Sequence, residues 1–239
     1  VINVKGIREV IGSRFSRVKA LAEGGMGVLF TAFDSRLKKI VVIKVLHPYM
    51  LKDQRALKRF LGEVKAVRAL KHPNIIRIYD LEKGKAPYYT MEYCPGQTLS
   101  AALREGRLDK EQALGIALGI ARGLEHAHSM GVIHRDLKPD NILLDQAKEP
   151  KIIDFGVAKT EFTQGLTREG ELLGTQRYMA PEQERGERID KRVDIYALGV
   201  ISVEMGLNER DPLIASMLEQ SPEKRPETVA RELEEQLKR

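Results

Sequence analysis

Hydrophobic and polar positions divide the chain into a strand-rich first part and a helix-rich remainder. Ser16–Leu21, Val28–Asp34 and Ile40–Leu46 are short β-branched or apolar runs, separated by glycine or charged turns, and are predicted as strands. Leu57, Phe60, Val64 and Val67 then recur at spacings of three and four, which predicts a helix over Asp53–Leu70 that Pro73 terminates. Ile75–Leu81 and Tyr88–Tyr93 add two strands and complete a small sheet-plus-helix lobe. After Cys94-Pro95-Gly96 the period changes. Thr98 is the expected N-cap of a helix reaching about Arg104. Asp109 opens a longer helix, with Leu114, Ala117, Ile120, Ala121, Leu124 and His128 on one stripe and Gly131 at its end. Val193–Met205 and Glu227–Leu237 read as two further helices. A β-rich lobe followed by an α-rich one should leave a cleft between them, and ligands favour such junctions.

Composition narrows the class. The 239 residues, 42% hydrophobic and 31% charged, describe a globular chain of one large domain or two lobes. No apolar run approaches the ~18 residues of a membrane span, and no signal-peptide pattern opens the sequence. The single cysteine, Cys94, excludes an internal disulfide and fits a reducing compartment. A net charge of +6 raises the question of nucleic acid. Without tryptophan, and with lysines and arginines not interleaved with aromatics, a solvated basic surface is expected instead, with no nucleic-acid partner.

Three segments carry chemistry suited to phosphoryl transfer, which needs a triphosphate held, its charge neutralised and an acceptor hydroxyl aimed in line. Ala22-Glu23-Gly24-Gly25-Met26-Gly27, leading into Val28, lies between two strands, where glycines let backbone amides approach phosphate oxygens. Most glycine runs are only turns. This one has no helix directly after it, which disfavours a dinucleotide fold, and no P-loop motif exists anywhere. Lys44 ends the strand Val41-Val42-Ile43-Lys44, and Glu63 on the next helix can hold its ammonium against phosphates. The decisive segment is His134-Arg135-Asp136-Leu137-Lys138-Pro139-Asp140-Asn141, followed by Asp154-Phe155-Gly156. Asp136 can accept the hydroxyl proton and Lys138 can neutralise the moving phosphoryl group. Asn141 and Asp154 supply the hard oxygen ligands that Mg²⁺ requires.

On these motifs, with Gly174-Thr175, Tyr178–Glu182 and Asp194–Gly199, the chain from about Ile11 onward resembles the eukaryotic-type serine/threonine protein kinases, particularly their bacterial members. The resemblance implies an α+β bilobal fold: a small antiparallel-sheet N-lobe with one main helix over residues 1–93, and a larger helical C-lobe over 94–239. It implies transfer of the γ-phosphate of ATP to protein Ser/Thr hydroxyls, with ATP and Mg²⁺, or Mn²⁺ in its place, as cofactors. Glu92-Tyr93-Cys94 would be the adenine-binding hinge, with Met91 behind the pocket and Leu21, Leu29, Val42 and Leu143 around the purine. Leu29 and Val42 are bulkier than the family's usual Val and Ala, which implies a tighter adenine pocket. Ala22 replaces the family's first glycine. Thr175 would shape the substrate pocket. Thr163 and Thr167, then Thr160, would be activation-loop phosphosites, pairing through phosphate with Arg135. The partners implied are protein substrates and a transient homodimer during autophosphorylation. A membrane tether would enter only through segments outside this chain, and the domain itself is expected in the cytoplasm.

By the same resemblance, Glu182–Arg225 is a buried ion pair and Asp194 holds the His134-Arg135 backbone. His134, Phe155, Val67 and Ile78 form an apolar column. His126, His128 and Cys94 read as packing or hinge residues. A pseudokinase would be expected to lose Lys44, Asp136 or Asp154, and all three are present. Gly174-Thr175 and Met179–Glu182, which build a peptide-docking surface in the family, weigh against a small-molecule phosphotransferase. One departure stands out. After Val203-Glu204-Met205, relatives continue through another helix and a long loop, roughly a few tens of residues, before the segment resembling Asp211–Pro226. Either the chain lacks this stretch, or Met205–Asn208 joins two ends around an omitted one. The second is expected, marked by a Cα separation well beyond ~3.8 Å.

Overall fold

Two-residue alternation along 27–34 puts Val28, Phe30 and Ala32 on one side of a strand, and all three are buried. The structure, a computed structural model, describes residues 4–24, 27–48, 54–83, 86–106, 108–155 and 176–238. The chain divides into two compact units, the first containing the residues up to Lys71 and Ile76–Cys94, the second His72–Ile75 and the stretch from Pro95.

In the first unit, β1 (Phe15–Gly24), β2 (Gly27–Asp34), β3 (Lys39–Leu46), β4 (Ile78–Glu82) and β5 (Tyr88–Glu92) form an antiparallel sheet in the order β1-β2-β3-β5-β4. β2 and β3 run in unbroken register from Gly27↔Leu46 to Asp34↔Lys39. The helix between β3 and β4 is Gln54–Ala69, within the predicted span, and it buries Phe60, Val64 and Val67. An N-terminal helix, α1 (Val4–Ile11), was not among the expected elements. Its Ile7 and Ile11, one turn apart, enter the core with Phe15, Phe30, Val41, Ile43 and Val45. The helix Gln54–Ala69 is called α2 below.

A charged network pins the sheet's far end. Asp34 is fully buried, and Arg14 bonds both its oxygens, Nε at 3.1 Å from each and Nη2 at 2.5 Å from Oδ2. The N–H groups of Arg36 and Leu37 donate to Oδ1 at 2.8 and 3.2 Å, which shapes the β2–β3 turn. Burial alone would push the Asp34 carboxyl up. The hydrogen bonds from Arg14, Arg36 and Leu37, with Arg14's charge, outweigh it and hold the carboxyl below its ordinary 3.8. A carboxyl depressed by folding adds stability that is present above its unfolded pKa and lost as pH falls through the folded one. Asp34→Asn should therefore lower stability at neutral pH by about 2 kcal/mol. It should also flatten the stability loss between about pH 5 and about pH 2. Denaturant titrations across that range check this; an acid limb as steep as wild type would refute it.

The predicted strand Ile75–Leu81 is split. Ile75 bridges to Ile152, Asn74 Nδ2 donates to the Pro150 carbonyl at 2.9 Å, and only Ile78–Glu82 pairs in the large sheet. Residues 72–75 thus anchor on the second unit.

That unit begins with a sheet too short to betray itself by alternation: β6 (Gly96–Thr98), β7 (Ile142–Asp145) and β8 (Pro150–Ile152), all antiparallel. α3 (Leu99–Glu105) is capped by Thr98, whose hydroxyl accepts from Ala101 N–H at 3.1 Å. α4 (Lys110–Ser129) opens with a capping box in which Asp109 and Gln112 exchange bonds. Three shorter helices follow a segment outside the described residues: α5 (Pro181–Glu184), α6 (Arg192–Glu204) and α7 (Pro212–Met217). α8 is Ala230–Leu237, three residues shorter at its start than predicted. Glu125 of α4 accepts the Val229 and Ala230 N–H groups at 3.2 and 3.0 Å, and Leu233 is fully buried.

At Met205–Asn208, where an omitted stretch is expected, the described residues form a compact turn. Gly206 N–H donates to Val203 O at 2.9 Å and Leu207 N–H to Ser202 O at 3.0 Å. With Gly206 at φ +98°, this pair of bonds is a Schellman stop, and Leu207 is buried. Glycine is needed there because a side chain strains that backbone. Asp211 then caps α7 through Leu213 N–H at 3.0 Å. Among the described residues, no large apolar side chain is exposed between Arg192 and Met217.

Candidate active site

The segment His134–Asn141 joins α4 to β7, and its shape is set from below by one carboxylate. Asp194, buried on α6, accepts the N–H of His134 on Oδ2 and of Arg135 on Oδ1, both at 2.8 Å. His128 Nε2 also meets Oδ2, at 2.7 Å. The structure thus places Asp194 as the resemblance implied, and it gives His128 a bonding role beyond the packing expected of it. His126 instead stacks on His72, with ring centroids 5.3 Å apart.

Inside the loop, Asp136 N–H donates to His134 Nδ1 at 3.3 Å, while His134 Nε2 meets the Ile153 carbonyl at 3.0 Å. The tautomer with its proton on Nε2 satisfies both contacts. The His134 ring lies 4.7 Å from that of Phe155. Asn141 O accepts Ile153 N–H at 2.9 Å, so the loop and the residues leading to Asp154 are laced together. Arg135 and Asp154 hold φ of +65° and +48°, a region that non-glycine residues enter at a cost. Gln183 of α5 adds a tie that no sequence pattern signalled: its Nε2 donates to Arg135 O at 3.1 Å.

Asp136, Lys138 and Asn141 come together. Lys138 Nζ is 3.8 Å from Asp136 Oδ2. Asn141 Nδ2 donates to Asp136 O at 2.8 Å and to Asp136 Oδ2 at 3.2 Å. With its amide nitrogen so engaged, Asn141 has its carbonyl oxygen to offer a cation. Among the described residues no cluster of three or more His, Cys, Asp or Glu side chains could hold a metal. An ion taken by Asn141 and Asp154 would draw its other ligands from phosphate and water, as Mg²⁺ does.

Cross-strand register orders the first unit's candidates. Leu29 faces Lys44, Thr31 faces Val42, and Val42 faces Met91, so Leu29, Val42, Lys44 and Met91 share one side of the sheet. Ala22, opposite Leu29, joins them, whereas Leu21 falls at a register shift and is 52% exposed. Val28 differs from these residues. Its side chain points to the opposite side, into the core with Phe30, because neighbours on a strand alternate faces.

Lys44 and Met91 are buried, and Glu63, Glu92, Cys94 and Leu143 are half-buried. Glu23 and Gly24 are exposed at the end of β1. Gly24 and Gly27 differ in kind. A Cβ on Gly27 would lie 2.2 Å from the Val45 carbonyl, so β-sheet packing alone demands glycine there. Around Gly24 nothing lies within 4 Å of such a carbon. Gly25, Met26, Gly156, Thr160, Thr163, Thr167, Gly174 and Thr175 lie outside the described residues.

Residues 15–213 match the family described as protein kinase domain. The chain belongs to that family. It is 45% identical over 197 residues to the serine/threonine-protein kinase pkn3 of Myxococcus xanthus, covering 77% of this chain and 36% of that protein. It is 37% identical over 197 residues to PrkC of Bacillus subtilis, covering 82% and 30%. It is 36% identical over 201 residues to PknA of Mycobacterium tuberculosis, covering 81% and 47%. The kinase domain therefore spans between about a third and a half of the length of these relatives. The crystal structure of the M. tuberculosis PknI kinase domain superposes with a TM-score of 0.76 at 22% identity, covering 95% of this chain and 96% of that one. At that identity the likeness speaks for the fold, the α+β protein kinase fold with its antiparallel N-terminal sheet and helical remainder.

The kinase domain's buried ion pair is as the resemblance implied. Arg225 Nη1 and Nη2 bond Glu182 Oε1 and Oε2 at 2.7 and 2.8 Å, with both side chains almost wholly buried. Tyr178 donates to Glu204 at 2.5 Å. Burial, then that carboxylate, push its phenol well above the ordinary range, so it remains a donor. No helix among the described residues is long and apolar enough to cross a membrane.

Proposed function

We propose that this kinase domain transfers the γ-phosphate of ATP to serine and threonine hydroxyls of proteins. The observation carrying the proposal is the Asp136–Lys138–Asn141 arrangement: a carboxylate steadied by an amide, with an ammonium 3.8 Å away. Asp136 accepts the proton as the acceptor oxygen bonds phosphorus and the bond to the bridging oxygen of ADP breaks. Lys138 balances charge on the moving group. Lys44, with Glu63, is assigned to the nucleotide phosphates, and Leu29, Val42, Met91 and Leu143 to the adenine. The backbone of Glu92 to Cys94 is assigned to the adenine edge, and that of Ala22 to Val28 to the phosphates. A divalent ion, Mg²⁺ or Mn²⁺, held by Asn141 and Asp154 would neutralise phosphate charge. Thr175 is assigned to the acceptor pocket. The domain is placed in the cytoplasm, where ATP is available.

Autophosphorylation is proposed at Thr163 and Thr167, with Arg135, an exposed cation, receiving the phosphate. The test is incubation with labelled ATP, Mg²⁺ and a generic basic protein. Phosphoserine and phosphothreonine are expected in that protein, and phosphopeptides covering Thr163 or Thr167 in the kinase. No transfer to protein sinks the first assignment; an unmodified loop on a fully active enzyme sinks the second.

A further inference from the structure

On the first unit, beside the edge strand β4 and the C-terminal end of α2, a surface cavity of about 310 Å³ is walled by Arg36, Arg68, Lys71, Arg77, Tyr79 and Asp80. Four cations and a single carboxylate line it. That carboxylate is already engaged, since Asp80 Oδ2 accepts from Arg14 Nη2 at 2.6 Å. Its other oxygen lies 3.8 Å from Arg36 Nη2 and 3.6 Å from Arg68 Nη2, both too long for hydrogen bonds. Two guanidinium groups from different elements, the β2–β3 turn and the last turn of α2, therefore converge on one point without either being bonded there. The C-terminal end of α2 brings a partial negative charge of about half a unit. Arg68, in its last turn, offsets it. Lys39 adds a further cation beside Tyr79, with Nζ 2.7 Å from its hydroxyl and 4.1 Å from its ring centre.

We infer that this cavity binds a phosphate-bearing side chain, a phosphothreonine or phosphoserine on a protein segment. A tetrahedral dianion has three free oxygens with which to bridge guanidinium groups spaced this way, and arginine forks match phosphate geometry. Asp80 cannot fill that role, because one carboxylate is shared among three arginines. The cavity suits one modified residue and not a nucleic-acid strand: a single half-buried tyrosine lines it, where strand binding would need successive stacking platforms. The inference does not depend on the catalytic assignment, since none of these residues belongs to it.

The test is fluorescence anisotropy with a labelled, otherwise uncharged heptapeptide carrying one phosphothreonine, its unphosphorylated twin, inorganic phosphate and a short single-stranded oligonucleotide as competitors. The phosphopeptide should bind the wild-type chain, more weakly as salt rises, and the unphosphorylated twin should not bind. The double variant Arg36→Gln/Arg68→Gln should bind it about tenfold more weakly or worse. It should melt at the wild-type temperature, because both side chains are largely exposed, at 66% and 48%, and their ion pairs are long. Equal affinity for the two peptides, or wild-type affinity in the double variant, would overturn the inference. Inorganic phosphate displacing the peptide at equal affinity would assign the cavity to the free ion instead. An oligonucleotide competing as well as the phosphopeptide would make it a general polyanion surface, which also overturns it.

Discussion

Asp136→Asn should lower the turnover of protein phosphorylation by about 10²–10⁴ while leaving the KM for ATP near its wild-type value. The substitution keeps size and shape. Its amide oxygen can still accept from Asn141 Nδ2, which bonds Asp136 Oδ2 at 3.2 Å, and the backbone bond from Asn141 is untouched. What disappears is the carboxylate's capacity to take a proton and its attraction for Lys138. Since Asp136 is assigned to the acceptor hydroxyl and not to the nucleotide, the loss belongs in kcat. Steady-state kinetics with a generic basic substrate, together with a thermal melt showing an intact fold, checks this. A variant as fast as wild type would remove Asp136 from the mechanism, and one that no longer binds ATP would relocate its role.

Glu182→Ala should be the costliest single change for stability, at about 3–5 kcal/mol. Arg225 is enclosed and spends its donors on fixed partners: both Glu182 oxygens, the Glu219 carbonyl at 2.7 Å, the Gln220 carbonyl at 3.2 Å and the Arg192 carbonyl at 3.4 Å. The Tyr196 ring lies 4.8 Å from the guanidinium carbon. Removing the carboxylate leaves a buried cation with nowhere to turn. For a chain of this size the melting temperature should fall by roughly 10 °C. Glu182→Leu combined with Arg225→Met, which removes both charges, should recover part of the loss. Differential scanning calorimetry of the three variants decides the matter. A Glu182→Ala protein within about 1 kcal/mol of wild type would mean water reaches the guanidinium after all.

Most elements were legible because they obey a period or carry a cap. Strands β2, β3 and β5 fall within a residue of their predicted limits, and Thr98 and Asp109 open the helices they were expected to open. Ile75–Leu81 looked like one strand because Ile75, Ile76, Ile78 and Tyr79 all favour extended backbone. Its division into a bridge to Ile152 and a strand from Ile78 is a tertiary event that local pattern does not encode. β6, β7 and β8, at three or four residues each, are too short for alternation to register.

The motif residues could be named in sequence because their chemistry is distinctive, whereas Gln183 holding the Arg135 carbonyl depends on a glutamine like any other. Val28 was grouped with the glycine run by adjacency, and strand alternation turns its side chain, not its backbone, into the core. At Met205–Asn208 the expectation came from the length of relatives. Gly206, at φ +98°, closes the helix that ends there.

The contact between Glu125 and the start of α8 has a practical side. The homologous segment closes at residue 213, yet the physical unit does not. Trimming there would strip Leu233 from its seat and leave the Glu125 carboxylate facing no amide, and a cut before Phe15 would likewise uncover the sheet beneath Ile7 and Ile11. Anyone shortening this protein should respect the packing boundary in place of the homology boundary.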